Sequence, residues 1–348
     1  MIDSMRAVIL ERFGGPEGLV DATLPIPRIG AQDVLIRVKA VAFNPTDYQL
    51  RQKGNPDLTP PIVLGRDVAG IVEACGAEAT GFRPGDAVFS YLATRSAGGY
   101  AGFAAIPHCF AAPKPASLDF LAAASVPVVA ITALHGLKRA RPDPAKSLLV
   151  TGGAGGVGSW VILLARAFGV TRIVTTAGSP ASRAYLRDTL GIADARIVDY
   201  RRRGRAELAD LALAANDGRR FDIAFDCVGA AMTHLCCDTV EFEGDVVSVV
   251  NGPRDETHPR VEADEDSMFD RSAAFHFEMA SALAYYAPPT RHEIYGERLR
   301  EIAALIDSGR VQPPPVANLG PLSAAVVREA HRRLESGHTI GKLAAIVD

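Results

Sequence analysis

The sequence predicts an α/β protein of two parts: a β-rich, barrel-like region followed by a doubly wound parallel sheet. Three observations carry that expectation. The chain has 348 residues, more than one typical domain. Its N-terminal region is a series of short apolar runs separated by Gly and Pro, the pattern of an all-β unit. After Ser147, strand-like and helix-like runs alternate, as in a parallel sheet covered by helices on both faces.

The elements follow in order. Residues 6–10 read as an opening strand, and Gly14-Gly15-Pro16 as a turn. Residues 33–40 alternate polar and apolar, as a half-exposed strand does. Asn44-Pro45-Thr46-Asp47-Tyr48 reads as a loop or a first helical turn. Runs at 62–67 and 68–73 follow, then the turn 81–86 into a strand at 87–91, and a strand opened by Gly98-Gly99-Tyr100-Ala101 and running through Ile106. Residues 118–137 are rich in alanine and read as two buried helical pieces around Pro127. Beyond them, strands are expected at 148–150, 172–176, 195–198, 221–226 and 245–250, with a sixth at 275–280. Helices are expected at 182–190, 294–308 and 323–335, and a closing strand at 342–347. The acidic stretch 262–266 reads as a surface loop.

The most informative stretch is Gly152-Gly153-Ala154-Gly155-Gly156-Val157-Gly158. Gly153, Gly155 and Gly158 fit G-x-G-x-x-G between a strand and a helix, the context that a dinucleotide site requires. The first glycine is expected to allow the tight turn, the second close approach of a pyrophosphate, and the third packing of helix on strand. The helix N-terminus offers N–H groups and partial positive charge to the phosphates.

Composition narrows the class. Hydrophobic residues make up 48% and charged residues 22%, ordinary for a globular enzyme. A net charge of −3 gives no general drive toward nucleic acid or membrane. Arg201-Arg202-Arg203 with Arg205 is a short basic run suited to a solvated loop. Five cysteines without a C-x-x-C pair point to a reducing compartment. Residues 1–6 carry no signal-peptide pattern, and the apolar stretch 120–134 is too short to span a bilayer. The expected location is the cytoplasm.

These motifs carry a resemblance. The β-rich region, the Asn-Pro-x-Asp loop at Asn44, Leu64-Gly65-Arg66-Asp67-Val68-Ala69-Gly70, Gly81-x-x-x-Gly85-Asp86-x-Val88, the glycine stretch and the segment from Glu329 to Lys342 together resemble the medium-chain dehydrogenase/reductase superfamily, on its quinone oxidoreductase and enoyl reductase branch. The resemblance spans essentially the whole chain. It implies a GroES-like catalytic domain over 1–124, completed by about 286–348, and a Rossmann domain over 125–285, with nicotinamide held between them. Members are commonly homodimers that join Rossmann sheets edge to edge, which would place 275–280 near that edge.

Zinc members carry a cysteine where this chain has Asn44, a Gly-His-Glu where it has Gly65-Arg66-Asp67, and a third ligand where it has Val128. Those three residues cannot build a catalytic zinc site. The structural zinc lobe needs four closely spaced cysteines, and Cys109 stands alone there. His135 and Cys236-Cys237 are stray ligand types best read as packing. No metal is expected.

The expected cofactor is NADPH. An NAD site carries an acid at the end of the second strand, where this chain has Thr175-Thr176-Ala177-Gly178-Ser179. Ser179 and Ser182 can donate to a 2′-phosphate, and Arg183 can add a charge-assisted contact. Tyr200 matches a family tyrosine near the same phosphate or adenine, and Thr132 a family threonine near the cofactor. Asp226-Cys227-Val228-Gly229 and Val249-Val250-Asn251-Gly252 end successive strands, so these tips are expected to face ribose and nicotinamide.

Without a metal, a conjugated acceptor is the easier substrate, because charge from added hydride delocalises onto oxygen. The protein then orients the acceptor, stabilises the enolate and delivers a proton. Asn44, where the zinc cysteine would stand, is the first candidate for positioning nicotinamide or substrate. Relatives carry a tyrosine in an Asn-Pro-x-x-x-Tyr pattern; here Tyr48 lies one position earlier, a rotation of about 100° if the turn is helical. Asp47 is suited to orienting neighbours, and Arg66 to meeting a substrate oxygen or pairing with Asp67 or Asp86. The expectation is a zinc-independent, NADPH-dependent reductase of a quinone or α,β-unsaturated carbonyl. An enoyl-thioester reductase of lipid or polyketide metabolism, or a weakly catalytic NADPH-binding sensor, stands as the alternative. Specificity is expected from loops at 50–59, 94–99 and 253–268.

Overall fold

The computed structural model describes residues 4–93, 98–251 and 267–348. The chain divides into two compact units, one formed by 1–131 with 281–348 and the other by 132–280. Gly252, the acidic stretch 262–266, and much of the loops expected at 94–99 and 253–268 lie outside the described residues.

The first unit begins with strands β1 (Ser4–Leu10), β2 (Leu19–Pro25), β3 (Asp33–Ala42), β4 (Ile62–Val63), β5 (Asp67–Cys75), β6 (Ala87–Tyr91), β7 (Phe103–Pro107) and β8 (Ala111–Pro113). The second unit contributes β9 (Ser147–Thr151), β10 (Arg172–Ala177), β11 (Ile197–Asp199), β12 (Phe221–Asp226), β13 (Val240–Ser248) and β14 (Ala274–Phe277). The chain then returns to the first unit with β15 (Val316–Pro321) and β16 (Lys342–Ile346).

In the first unit, β2-β1-β4 form a small sheet, and β15-β16-β3-β5-β6-β8 a larger one, with β7 also on β3. β3 pairs with β5, β7 and β16, so most of its side chains are buried despite the alternation in its sequence. The strand expected from Gly98 through Ile106 starts only at Phe103. Before it, Tyr100 and Ala101 cross to β1: Val8 N–H donates to Tyr100 O at 2.8 Å, and Ala101 bridges Ala7. The Asn44 loop is a helix, Pro45–Lys53, with Pro45 at its first position, where a missing N–H costs nothing.

In the second unit the sheet order is β11-β10-β9-β12-β13-β14, all parallel. Counted within the unit this is 3-2-1-4-5-6, with the topological switch point between β9 and β12. β13 is longer than expected, beginning at Val240, with a register shift before Asp245, and it ends at Ser248. Val249 and Val250 therefore belong to the loop beyond the strand. The helices Arg205–Ala215 and Ala231–Thr239, which the sequence reading did not single out, bury Leu208, Ala212, Met232 and Leu235 against the sheet. Cys236 and Cys237 pack in the same core. His135 is largely buried on the helix Pro127–Ala140, its Nδ1 3.4 Å from the buried Glu278, whose other oxygen accepts from Arg139 Nε at 2.6 Å.

Candidate functional sites

The second unit builds its candidate site at the carboxyl ends of β9, β12 and β13. The tight turn after β9 is made at Gly152 (φ +67°), one residue before the position expected from the motif. Gly153 is required for another reason: a Cβ there would stand 2.1 Å from Thr175 Oγ1 on β10. At Gly158 a Cβ would stand 2.3 Å from Gly152 O, so this glycine lets the helix Gly156–Ala167 pack on the turn, as expected. Gly155 differs, because the nearest atom to a Cβ there is Gly152 O at 3.3 Å. The helix is N-capped by Gly155 with no side chain to accept its first N–H groups. Unsatisfied N–H groups at a helix start are, in general, suited to an anion.

Ala154 is buried, and Gly156 and Val157 are half-buried in the first helical turn. Thr132 is buried on the helix Pro127–Ala140. Past β10, Ser179 caps the helix Pro180–Asp188: Ser182 N–H donates to Ser179 Oγ and Ser179 N–H to Ser182 Oγ, both at 3.0 Å. A Cβ on Gly178 would stand 2.1 Å from the Tyr200 hydroxyl, so Tyr200 lies directly over Gly178. Arg183 is committed elsewhere. Its Nε and Nη2 fork onto Asp194 at 2.8 and 2.9 Å, and its Nη1 donates to Ile197 O. Val228 is half-exposed, while Asn251 is exposed and Cys227 and Val250 are partly covered.

Behind these loops lies Asp226, fully buried. Its Oδ1 accepts from Thr151 Oγ1 at 3.0 Å, Val228 N–H at 3.0 Å and Gly229 N–H at 2.9 Å. Its Oδ2 accepts from Thr233 Oγ1 at 2.6 Å and Ser248 Oγ at 3.2 Å. The sequence reading named this residue only as the start of a strand-end tetrapeptide.

The first unit holds a second buried polar cluster. Asn44, expected to turn its amide toward a ligand, is 1% exposed. Its Nδ2 donates to Asp67 Oδ2 at 2.8 Å, and its Oδ1 accepts from Lys342 Nζ at 2.6 Å. An ammonium on one side and a carboxylate on the other fix which amide atom is which. Lys342 Nζ also donates to Asp67 Oδ2 at 3.1 Å and to Phe43 O at 3.0 Å, and Val128 N–H donates to Asp67 Oδ1 at 2.8 Å. Burial pushes the Asp67 carboxyl up, and the Lys342 ammonium pulls against that.

Asp47 is buried beside this group. Its Oδ2 accepts from Asn44 N–H at 2.9 Å and from the Tyr100 hydroxyl at 3.0 Å. Burial raises its carboxyl to about 6, with Arg66 the main opposing charge. The Tyr100 hydroxyl lies 3.4 Å from His331 Nε2, and Arg51 Nε lies 3.2 Å from His331 Nδ1. Arg51 also bonds Gly14 O and pairs with Glu335. Burial and the Arg51 charge push His331 down to about 3. Tyr48 lies one helical step past Asp47, partly covered. Arg66 Nη1 donates to Leu92 O at 3.0 Å, and its guanidinium sits 5.9 Å from the centre of the Tyr285 ring. Asp86, one partner suggested for Arg66, accepts from Arg83. Among the described residues no group of three or more His, Cys, Asp or Glu side chains is arranged to hold a metal ion.

Comparison with known proteins agrees with this architecture. Residues 30–116 match the alcohol dehydrogenase GroES-like domain, and residues 193–344 match a family described as zinc-binding dehydrogenase. A 2-methylene-furan-3-one reductase of Solanum lycopersicum is 31% identical over 350 residues, covering 97% of this chain and 78% of the relative. An NADPH-dependent alkenal/one oxidoreductase of Arabidopsis thaliana, chloroplastic, is 30% identical with the same coverage. Among solved structures, an alcohol dehydrogenase superfamily protein from Novosphingobium aromaticivorans superposes with a TM-score of 0.82 at 28% identity, over 99% of this chain and 100% of that one. A mycobacterial protein complexed with NADPH superposes with a TM-score of 0.80 at 27% identity, over 98% and 99%.

A two-unit fold with a glycine turn at the switch point defines a dinucleotide-dependent dehydrogenase or reductase. The chain belongs to the medium-chain dehydrogenase/reductase superfamily, on its quinone oxidoreductase branch. It is an oxidoreductase that uses a nicotinamide cofactor and acts on small molecules. No helix among the described residues is long and apolar enough to cross a membrane.

Proposed function

We propose that the protein transfers hydride from NADPH to a quinone or an α,β-unsaturated carbonyl, without zinc. The observation that carries this reading is similarity over 97% of the chain to an NADPH-dependent alkenal/one oxidoreductase, joined to a β10 end that carries no acid. A carboxylate there would repel a 2′-phosphate; the hydroxyls of Ser179 and Ser182, donated within the helix cap to Ser182 Oγ at 3.1 Å and Ser179 O at 2.9 Å, would have to turn outward to meet one. Arg183 joins such a phosphate only by exchanging its fork on Asp194. Gly153 to Gly158 and the helix start would hold the pyrophosphate, and Thr132, Cys227, Val228, Val250 and Asn251 would be the residues that meet the ribose and nicotinamide.

When bound, the cofactor supplies the hydride. The chain's own residues bind, orient and stabilise charge. Asn44 is held rigid by Asp67 and Lys342 and serves as a positioning group. Asp47 orients Asn44 and Tyr100, and we assign to Arg66 the stabilisation of a developing oxyanion. Tyr48 contributes packing more than proton transfer. The zinc-free reading is supported by the donor set: an asparagine bonded to an ammonium, an arginine and a valine stand at the three ligand positions.

A homodimer joined along β14 fits the exposed edge of the six-stranded sheet, where Phe277 and Met279 are about half exposed. Five cysteines, none in a disulfide, accord with a cytoplasmic setting.

The test is NADPH oxidation at 340 nm by chelator-treated protein offered a naphthoquinone, a 2-alkenal, a cyclic enone and an enoyl thioester, with NADH in parallel. Turnover of the quinone or enones with NADPH supports the reading. Preference for the thioester moves the assignment to lipid metabolism. Activity that returns only with added zinc overturns it.

A further inference from the structure

We propose that Asp226 is a positioning residue that sets the backbone of the cofactor-facing loops by fixing the polarity of a hydrogen-bond relay beneath them. The proposal rests on the reading that the loops after β9, β12 and β13 face the cofactor. A carboxylate only accepts hydrogen bonds. Thr151 and Ser248, at the ends of β9 and β13, must therefore donate their hydroxyl protons to it. That leaves both hydroxyl oxygens free to accept, and each does so from the loop above. Cys227 N–H donates to Thr151 Oγ1 at 3.1 Å, and Val250 N–H donates to Ser248 Oγ at 3.3 Å.

Asp226 also binds the β12 loop directly, through the N–H groups of Val228 and Gly229. Its main-chain oxygen accepts from Val249 N–H at 3.1 Å. One buried side chain thus ties together the ends of three adjacent parallel strands at the switch point. The β12 loop in turn packs on the glycine turn: a Cβ added at Gly152 would lie 2.7 Å from Val228 Cγ2. Thr233 is the exception among the five donors. It joins the carboxylate to the helix Ala231–Thr239 and relays nothing to the β9 or β13 loops.

That asymmetry makes the proposal testable. NADPH dissociation constants, measured by fluorescence titration, are compared with thermal midpoints for Asp226→Asn, Thr151→Val, Ser248→Ala and Thr233→Val. Asparagine keeps the shape but replaces one acceptor oxygen by a donor, so the hydroxyls that face it must turn from donating to accepting and the polarity of the relay is no longer imposed. Asp226→Asn and Thr151→Val are expected to weaken NADPH binding about tenfold or more while the protein stays folded, and Ser248→Ala by about threefold. Thr233→Val is expected to lower the midpoint and leave the dissociation constant within about twofold of the parent. A folded Asp226→Asn that binds like the parent overturns the proposal. So does a Thr233→Val that weakens binding as much as Thr151→Val, because the carboxylate would then act through general stability alone. If Asp226→Asn does not fold, the contrast between Thr151→Val and Thr233→Val decides. A parent protein that binds neither NADPH nor NADH defeats the reading of the loops themselves, a result distinct from either.

Discussion

Asp67 in the first unit and Asp226 in the second are both buried carboxylates, and they are accommodated in different ways. Asp67 in the first unit has a cation: Lys342 Nζ at 3.1 Å, helped by the Asn44 amide and the Val128 N–H. Asp226 in the second unit has five neutral donors, three hydroxyls and two backbone N–H groups. A buried charge must be paired or fully hydrogen-bonded, and either route meets that need. The routes differ in how they fail. Where a cation carries the balance, its loss leaves an uncompensated charge. Where five dipoles share the load, each loss is partial. The ionic route joins side chains from positions 44, 67 and 342, whereas the neutral route shapes backbone.

The largest effect is expected at Lys342. Lys342→Met strands Asp67 and is expected to cost about 3–5 kcal/mol in urea unfolding. Adding Asp67→Asn to that variant is expected to recover much of the loss, since the charge leaves with its partner. A loss under about 1 kcal/mol for Lys342→Met alone would show that the ammonium does not carry the balance, and the contrast between the units would collapse.

The neutral site is expected to degrade in smaller steps. Thr233→Val removes one hydroxyl from Asp226 and is expected to cost about 1–2 kcal/mol, a smaller effect than that at Lys342. Equal losses at Thr233 and Lys342 would mean that one neutral donor matters as much as the ammonium, and the distinction between graded and all-or-none failure would go.

Much of the second unit was legible in the sequence because its signals are local. The glycine stretch, the helix after it and most strands announce themselves within a dozen residues. Even there, motif logic misassigned one role, since the turn falls on Gly152 and Gly153 is needed for the approach of Thr175. The first unit hid more. Asn44, Asp47 and Arg66 could be singled out, but Lys342 stands 298 residues from Asn44, and His331 stands 280 from Arg51. No periodicity links such positions. The Gly-Lys at the end of the family-like segment was the one available signal for Lys342. Asp226 was hidden differently: a polar residue ending an apolar strand looks like an ordinary boundary, and only the converging donors reveal it.

The smallest expected effect is a near-cancellation inside the first unit. Asp47 has its carboxyl raised from 3.8 to about 6, so its contribution to stability is full below about pH 4 and is lost as pH rises through 6. His331 is pushed from 6.5 down to about 3, so its contribution is full above about pH 6.5 and is lost as pH falls toward 3. Both face the Tyr100 hydroxyl, and between pH 4 and 6 their slopes have opposite signs, each worth about 2 kcal/mol across that window. The parent is therefore expected to show little pH dependence from this cluster. Asp47→Asn is expected to unmask the His331 slope, losing stability relative to the parent as pH falls from 6 to 4. His331→Gln is expected to do the reverse, gaining stability over the same interval. Urea midpoints at pH 4, 5 and 6 for the parent and the two variants measure both slopes. If the two variants move in the same direction, the groups do not oppose each other as their burial requires. The ionic unit would then owe its pH response to Asp67 instead, whose carboxyl is raised by burial.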